Sequence, residues 1–500
     1  MEIKTPTKPW ILLVIFLAIS AGGFFVFSKS TISNPYGKPV SGKDNLPHVK
    51  VIENHKSALT YWLDSGIKNA VLVSIDAHDD IKRIPDSYIQ ELKVLSNQRV
   101  TTSAGAEAHQ NFSGKVTNGN FLYAAAKLGI FKEIFWIIPA PYTGTSNQEN
   151  SLISLLNYYN FFKKDIKTFK MAGNCFKGQV NGIPFSLCDV DSLPDIHEPI
   201  VLNIDSDFFP AVAESRSEKL IDSISRTNKA LAGRNYKIID AVLAYSVDGG
   251  HLNTYHRWIG DLFVLSLENP LMMSAGKLPD RYPALQQADL LLLMGRYDEL
   301  LEHLQPFIEI PQPDPAMLTY YAFALAGLNA EAHAYSYAEQ ACLADKKYCY
   351  VLSEIGENLL ADHGLDSAEK FFIRGYALNP QMAHGQFNLA QAMIKNNRLD
   401  EAIYYLKEFR KANGPFPIDL YLGKTYLLKG DEIAALSYFV NARTELLRNP
   451  PALADLGDLN IIQEAIAFFR QKGLDGFAKE LKITLVMRDK YYSDRSEIMP

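Results

Sequence analysis

The sequence lacks any stripe of lysine and arginine. Its 50 basic residues are outnumbered by 56 acidic ones, for a net charge of −6. With no continuous positive surface to neutralise phosphates, nucleic acid is set aside as a partner. Glycine and proline are not in excess, which leaves an ordinary globular composition, 47% apolar and 21% charged. Cysteine is scarce: four residues in two local pairs, Cys175 with Cys188 and Cys342 with Cys349. Neither pair has the spacing of a zinc cluster. An even count at short separations suits disulfides in an oxidising compartment, with buried free thiols as the alternative. Cys175 and Cys188 flank Gly178, Gly182 and Pro184, a pattern that fits a bridged hairpin.

What is present begins with one long apolar run. Trp10 to Phe27 is 18 residues without a charge, preceded by Lys4 and Lys8 and followed by Lys29 and Lys38. As a helix it spans about 27 Å, close to a hydrocarbon core of about 30 Å. A cleaved signal peptide is the rival, and Ser20-Ala21-Gly22-Gly23 offers small residues for it, but Phe24 to Phe27 carry the apolar run beyond them. The run is read as an uncleaved, single-pass anchor. Its short leading tail implies that the large C-terminal part is translocated, to an extracytoplasmic side that is periplasmic if the source is bacterial.

Five hundred residues exceed one ordinary core, so two or three domains are expected. Residues 1–27 form the tail and anchor and 28–47 a tether. Residues 48–275 alternate strand-like and helix-like segments, the mark of an α/β layered domain with a parallel sheet and flanking helices. The strand candidates are His48–Glu53, Ala70–Ile75, Glu133–Ile138, Pro199–Ile204, Ala241–Ser246 and Leu262–Leu267. Residues 281–488 change to apolar helices with a repeating phase, and 489–500 form a tail. Ala334, Ala368 and Ala402 are 34 residues apart, and Ala435 follows after 33. The pairs Tyr321-Ala322, Ile355-Gly356, Leu389-Ala390 and Leu422-Gly423 recur in the same register. This period resembles that of tetratricopeptide repeats, and it implies an all-α stack that binds a protein or peptide.

Two acidic clusters end apolar, β-branched runs: Asp76-Ala77-His78-Asp79-Asp80 after Ala70–Ile75, and Asp205-Ser206-Asp207 after Pro199–Ile204. Such runs read as buried parallel strands, and ligands of open α/β sheets bind beyond their carboxyl ends. Asp76, His78 and Asp80 alternate, so an extended backbone would turn all three to one side; Asp205 and Asp207 do the same. His55, after the first strand candidate, supplies a further imidazole. The set suits two divalent cations about 3.5–4 Å apart, which lower the pKa of a shared water for hydrolysis at a polar carbon.

Asp76 to Asp80 looks like the Asp-Ala-His-x-Asp signature of the arginase, agmatinase and ureohydrolase superfamily, and Asn203 to Phe209 is similar to its second, Asp-x-Asp motif. Glu53 to Leu59 with Trp62, and Gly119-Asn120-Phe121-Leu122, resemble a narrower arginase-like family that includes bacterial peptide arginases. The resemblance covers residues 48–270. It implies manganese, with His55, Asp76, Asp80 and Asp205 around one ion and His78, Asp76, Asp205 and Asp207 around the other. It also implies substrate-side roles for Asn120 and for Glu268, which precedes Asn269-Pro270. One departure stands out. Arginases carry a histidine shortly after their Gly-Asn segment, where this chain has Phe121-Leu122-Tyr123. His251 is the candidate replacement for proton transfer, and Asp248 a second anionic anchor.

The expectation is a membrane-anchored binuclear-metal hydrolase acting on a guanidinium, amidine or amide carbon, a peptide arginine being one such substrate, with repeats that recruit a protein. Amide deacetylation is a second enzymatic option. The competing class is a catalytically inactive scaffold that keeps the same architecture.

Overall fold

The computed structural model describes residues 49–99, 116–139, 148–247, 251–269, 272–273, 278–380, 384–413, 417–448 and 459–496. Trp10–Phe27, the tether, Asp248 and Pro270 lie outside them. Among the described residues no helix is long and apolar enough to cross a membrane.

An eight-stranded sheet organises the first half: β1 (Lys50–Ile52), β2 (Ala70–Ile75), β3 (Phe131–Ile138), β4 (Lys170–Ala172), β5 (Cys175–Val180), β6 (Ile183–Asp189), β7 (Ile200–Asp205) and β8 (Ile238–Ala244). Their order is β1-β8-β7-β2-β3-β6-β5-β4. The pairs from β1 through β6 are parallel, and β6-β5-β4 is an antiparallel edge. β2, β7 and the inner part of β8 are buried on both faces, which is why these strands read as continuous apolar runs rather than alternating ones. Val71, Val73 and Ile75 of β2 join one core with Leu202 and Ile204 of β7; Leu72 joins the opposite core with Val201. Cys175 and Cys188 face each other across the β5–β6 pair and are bonded, as are Cys342 and Cys349.

One strand candidate is corrected. Leu262–Leu267 lies in a helix, Trp258–Glu268. Trp258, Ile259, Leu262, Phe263 and Leu267 are all buried, and the helix packs between the sheet and the first repeat helices. A helix covered on opposite sides has no polar face, so its apolar run is indistinguishable from a buried strand by pattern alone. After β7 come two helices, Phe208–Arg216 and Leu220–Ala232, separated at Ser217, whose φ is 52°.

From Arg281 onward the described chain forms helical hairpins like tetratricopeptide repeats. Pro315–Gly327 pairs with Glu331–Ala344, Tyr350–His363 with Leu365–Leu378, His384–Lys395 with Leu399–Asn413, and Ile418–Leu428 with Glu432–Arg448. Ala334, Ala368, Ala402 and Ala435 are fully buried. Within two of the hairpins a ring sits against the small residue of the partner helix. A Cβ on Gly423 would meet the Phe439 ring at 2.6 Å, and one on Gly356 the Phe372 ring at 3.1 Å. Helices approach this closely only where a side chain is missing.

The sheet and the repeats share a core. One cluster of buried apolar residues runs from Val73 and Leu202 through Trp258 to Leu285, Tyr320 and Phe372. Polar contacts cross the same boundary. Trp258 Nε1 donates to the Tyr320 hydroxyl (3.1 Å), His256 Nε2 lies 2.6 Å from Asp289 Oδ1, and the Thr254 amide donates to Glu354 Oε1 (2.8 Å). Arg257 is buried, forks onto Glu53 and lies over the Tyr245 ring at 3.8 Å.

Burial lifts the Glu354 carboxyl to about 7, partly offset by its hydrogen bonds from Thr254. A raised carboxyl pKa means that the fold favours the neutral form, so the penalty grows from the ordinary value of 4.5 upward and is complete above about pH 7. Glu354→Gln keeps the acceptor for Thr254 and removes the ionisation. The variant should match the parent near pH 5 and exceed it by on the order of 2–3 kcal/mol above pH 8. Urea unfolding at both pH values checks this; a constant difference would disprove it.

Candidate metal centre

The carboxyl ends of β1, β8, β7 and β2, four neighbours in the sheet, carry the residues singled out in the sequence. His55 occupies the turn between β1 and the helix Ser57–Asp64 and is 1% exposed. Asp76, Asp80, Asp205 and Asp207 are all buried, while the His78 side chain is 43% exposed. The structure brings these six side chains together. His55 Nδ1 lies 3.3 Å from Asp76, 3.2 Å from Asp80 and 2.9 Å from Asp205, and His78 Nδ1 lies 2.9 Å from Asp207.

The local backbone differs from the extended arrangement expected. The chain turns immediately after each strand: the His78 amide donates to Asp76 Oδ1 (2.8 Å) and the Asp207 amide to Asp205 Oδ1 (3.1 Å), and Asp80 has φ 45°. Aspartates favour such turns because a short carboxylate can accept from the amide two residues on. The clusters converge through turns, and the alternation of side chains plays no part.

Two aromatic donors that the sequence reading missed hold the first turn. Trp136 Nε1 donates to the Asp76 carbonyl (2.9 Å) and the Tyr159 hydroxyl to the Ala77 carbonyl (2.6 Å). Because a trans peptide sets its N–H opposite its C=O, pinning these two carbonyls outward turns the next two amides inward. The Ala77 amide reaches Asp207 Oδ1 (3.4 Å), and the His78 amide reaches Asp76.

His55 is oriented by Asn203 on the side away from the carboxylates. Asn203 donates its amide to Ser74 Oγ (2.9 Å), so its carbonyl oxygen faces His55 Nε2 (3.0 Å). Nε2 therefore carries a hydrogen, and Nδ1 is the atom turned toward the carboxylates. Nδ1 and Asp76 Oδ2 are buried, and neither closes a hydrogen bond despite the short separations. An imidazole nitrogen aimed among three carboxylates, with no hydrogen bond in line, is a position that a proton or a cation can fill. On this ground the residues fit a divalent-metal site.

The electrostatics point the same way. Burial, then the charge of Asp80, pushes Asp76 well above the carboxylate range. Burial and the charge of Asp205 raise Asp207 to about 7. Burial would raise Asp205 too, but His55, Ser246 and the Asp207 amide hold it below the ordinary value; Ser246 Oγ lies 2.5 Å from its Oδ2. The hydrogen bond with Asp207 raises His78 to about 9. Burial alone would lower His55, yet its carboxylate neighbours keep it well above the imidazole range. Without cations, protons on the imidazoles balance part of the negative charge.

The remaining candidates are placed as follows. The His251 ring centroid is 4.7 Å from that of His78. Asn120 Oδ1 accepts from the Thr117 amide (2.8 Å), and its neighbours join the site loops: Asn118 Oδ1 accepts from the Lys56 amide, and the Leu122 amide donates to the Asp80 carbonyl. The Phe121 ring centroid lies 4.5 Å from that of His55. Glu268 is exposed at the end of the helix Trp258–Glu268 rather than at a strand tip, because the run before it is helical.

No family model matches the chain, and no curated protein matches it. Solved structures similar to it are repeat proteins. A MamA structure is 16% identical over 35% of this chain and 95% of its own, at TM-score 0.27. YrrB, described as a TPR protein with an unusual peptide-binding site, is 17% identical over 37% and 90%, at TM-score 0.26. Scores this low carry no weight for the fold, and the repeats are read from this chain's own helices.

Cation binding must displace the protons held by His55, His78, Asp76 and Asp207. Affinity for Mn²⁺ should therefore rise with pH between about 6 and 9, with proton release on binding. Calorimetry in buffers of different ionisation enthalpy measures both, and a pH-independent affinity would contradict the site. Tyr159→Phe, which frees the Ala77 carbonyl, should weaken Mn²⁺ binding by about tenfold while circular dichroism stays unchanged; unaltered affinity would show that the pinned turn is irrelevant to the site.

Proposed function

We propose that this protein is an arginase-like, binuclear-metal hydrolase acting on a guanidinium, amidine or amide carbon, with arginine side chains within peptides as its substrates. The observation that carries this reading is His55 Nδ1 standing within 3.3 Å of Asp76, Asp80 and Asp205 without closing a hydrogen bond. Bound divalent cations, manganese from the carboxylate-rich donor set, would supply Lewis acidity and a lowered water pKa.

The chain's own part is to hold and orient. His55, Asp76, Asp80 and Asp205 would hold one cation, and His78, Asp76, Asp205 and Asp207 the other. Four carboxylates balance two divalent charges, so a planar cationic guanidinium approaches a centre without net positive charge. Trp136, Tyr159, Asn203 and Ser246 fix the ligands beforehand, which limits reorganisation during the reaction.

Both site loops lead into segments that touch the repeats. Tyr88, in the helix after Asp80, donates to Glu445 (3.4 Å), and Thr254, three residues after His251, donates to Glu354. A peptide or protein held by the repeats would lie close to the metal residues, which favours substrates longer than free arginine. The two disulfides favour an oxidising compartment, in keeping with a membrane anchor at residues 10–27 and soluble parts on the extracytoplasmic side.

The full chain loaded with Mn²⁺ should hold about two ions and release urea from arginine-containing peptides, leaving ornithine. Asp76→Asn and Asp205→Asn should lose metal and at least about 100-fold of the rate, with the fold intact. A two-metal protein that releases nothing from peptides, agmatine or arginine would defeat the ureohydrolase reading. A folded chain that binds no cation would be the scaffold.

A further inference from the structure

The two ends of the carboxylate cluster are chemically unlike. At one end a single imidazole, His55, faces the oxygens of Asp76, Asp80 and Asp205. At the other, ligating atoms of His78, His251 and Asp207 all lie within 4.8 Å of one another. Asp76, Asp205 and Asp207 form a third such group that joins the two ends.

His251 is fastened to this centre. The His251 and Leu252 amides both donate to the Ser246 carbonyl (3.2 Å), and Ser246 Oγ in turn binds Asp205 Oδ2. Ser246, just past the end of β8, has φ 53°. His251 is exposed and the His78 side chain is 43% exposed. Both rings can therefore rotate the short distance to zinc–nitrogen contacts of about 2.0–2.1 Å without opening the buried core.

We propose that His251 is a ligand of the second cation, so that the His78–His251–Asp207 position selects zinc while the His55 position takes manganese. This rests on the binuclear reading above and adds to it a ligand and an unequal choice of metal. Two imidazoles with one carboxylate suit a borderline cation such as Zn²⁺, whereas one imidazole among carboxylates suits Mn²⁺. A ligand imidazole has its lone pair committed to the metal, so this assignment competes with a proton-transfer role for the same residue.

The test uses the tag-free full chain, stripped of metal. Calorimetric titration with Zn²⁺ should show two binding events. Loading with equimolar Mn²⁺ and Zn²⁺, followed by gel filtration and elemental analysis, should leave about one of each per chain. His251→Ala should weaken one zinc event by at least about tenfold, leave the other within about twofold, and lower zinc uptake from the mixture. His251→Gln repeats the measurement should the alanine variant fold poorly. Zinc binding and mixed-metal content identical between parent and variants would overturn the proposal and leave His251 to proton transfer. A parent that takes two ions of the same metal from the mixture would overturn the selectivity. A parent that binds no cation would instead remove the binuclear reading, and Asp205→Asn, expected to lose both events, tells the two failures apart.

Discussion

Four carboxylates, those of Asp76, Asp80, Asp205 and Asp207, share one crevice that water scarcely reaches, and their mutual repulsion sets the terms for everything around them. Positive charge has to come from somewhere. Two imidazoles supply part of it, and inward-turned amides of the strand-end turns supply partial charges. The aromatic donors behind the turn do indirect work, since gripping the Asp76 and Ala77 carbonyls keeps those oxygens from adding to the repulsion. A fold that serves only its own stability has little use for such a concentration of like charge. It lies at the carboxyl edge of a parallel sheet, where loops can be varied without disturbing strands and where ligands of open α/β sheets bind.

Much of this could be read from residue order. β2 and β7 are buried on both faces, and their uninterrupted apolar runs locate both acidic clusters at strand ends. The repeat register was visible because Ala334, Ala368, Ala402 and Ala435 are the places where helices touch. Other features left weaker traces. β4 is only three residues long, and β6 carries Pro184 and the polar Ser186 inside it, so the antiparallel edge was legible only through its cysteines. The supporting shell was missed, although a clue existed. Ser74 and Asn203 are polar residues inside strands that are otherwise apolar, and a buried polar group in such a position must have a partner. Trp136 and Tyr159 gave no such clue, because a buried aromatic ring is ordinary until its hydrogen-bond partner is known.

The α/β part and the helical repeats pack against each other. The apolar cluster that fills one side of the sheet continues into the first repeat hairpins, and Arg257 ties β1, the end of β8 and the repeats through one guanidinium. Glu53, its partner, is two residues from His55; Tyr245, beneath it, adjoins Ser246. The boundary between the α/β part and the helical part thus runs close to the cluster of histidines and aspartates. Changes in the repeats have a short physical path to the site through packed side chains.

The helix Trp258–Glu268, apolar on opposite sides, also bears on how the chain is made. Synthesis delivers the sheet before the hairpins, and when the last strand has left the ribosome this helix can cover the sheet but has nothing to cover itself. Its outer surface stays open to solvent until Leu285 and Tyr320 have emerged and docked. The sheet half therefore cannot finish folding on its own timetable: the newborn chain carries an open apolar seam for several dozen residues of elongation, the interval in which holdase chaperones would find it.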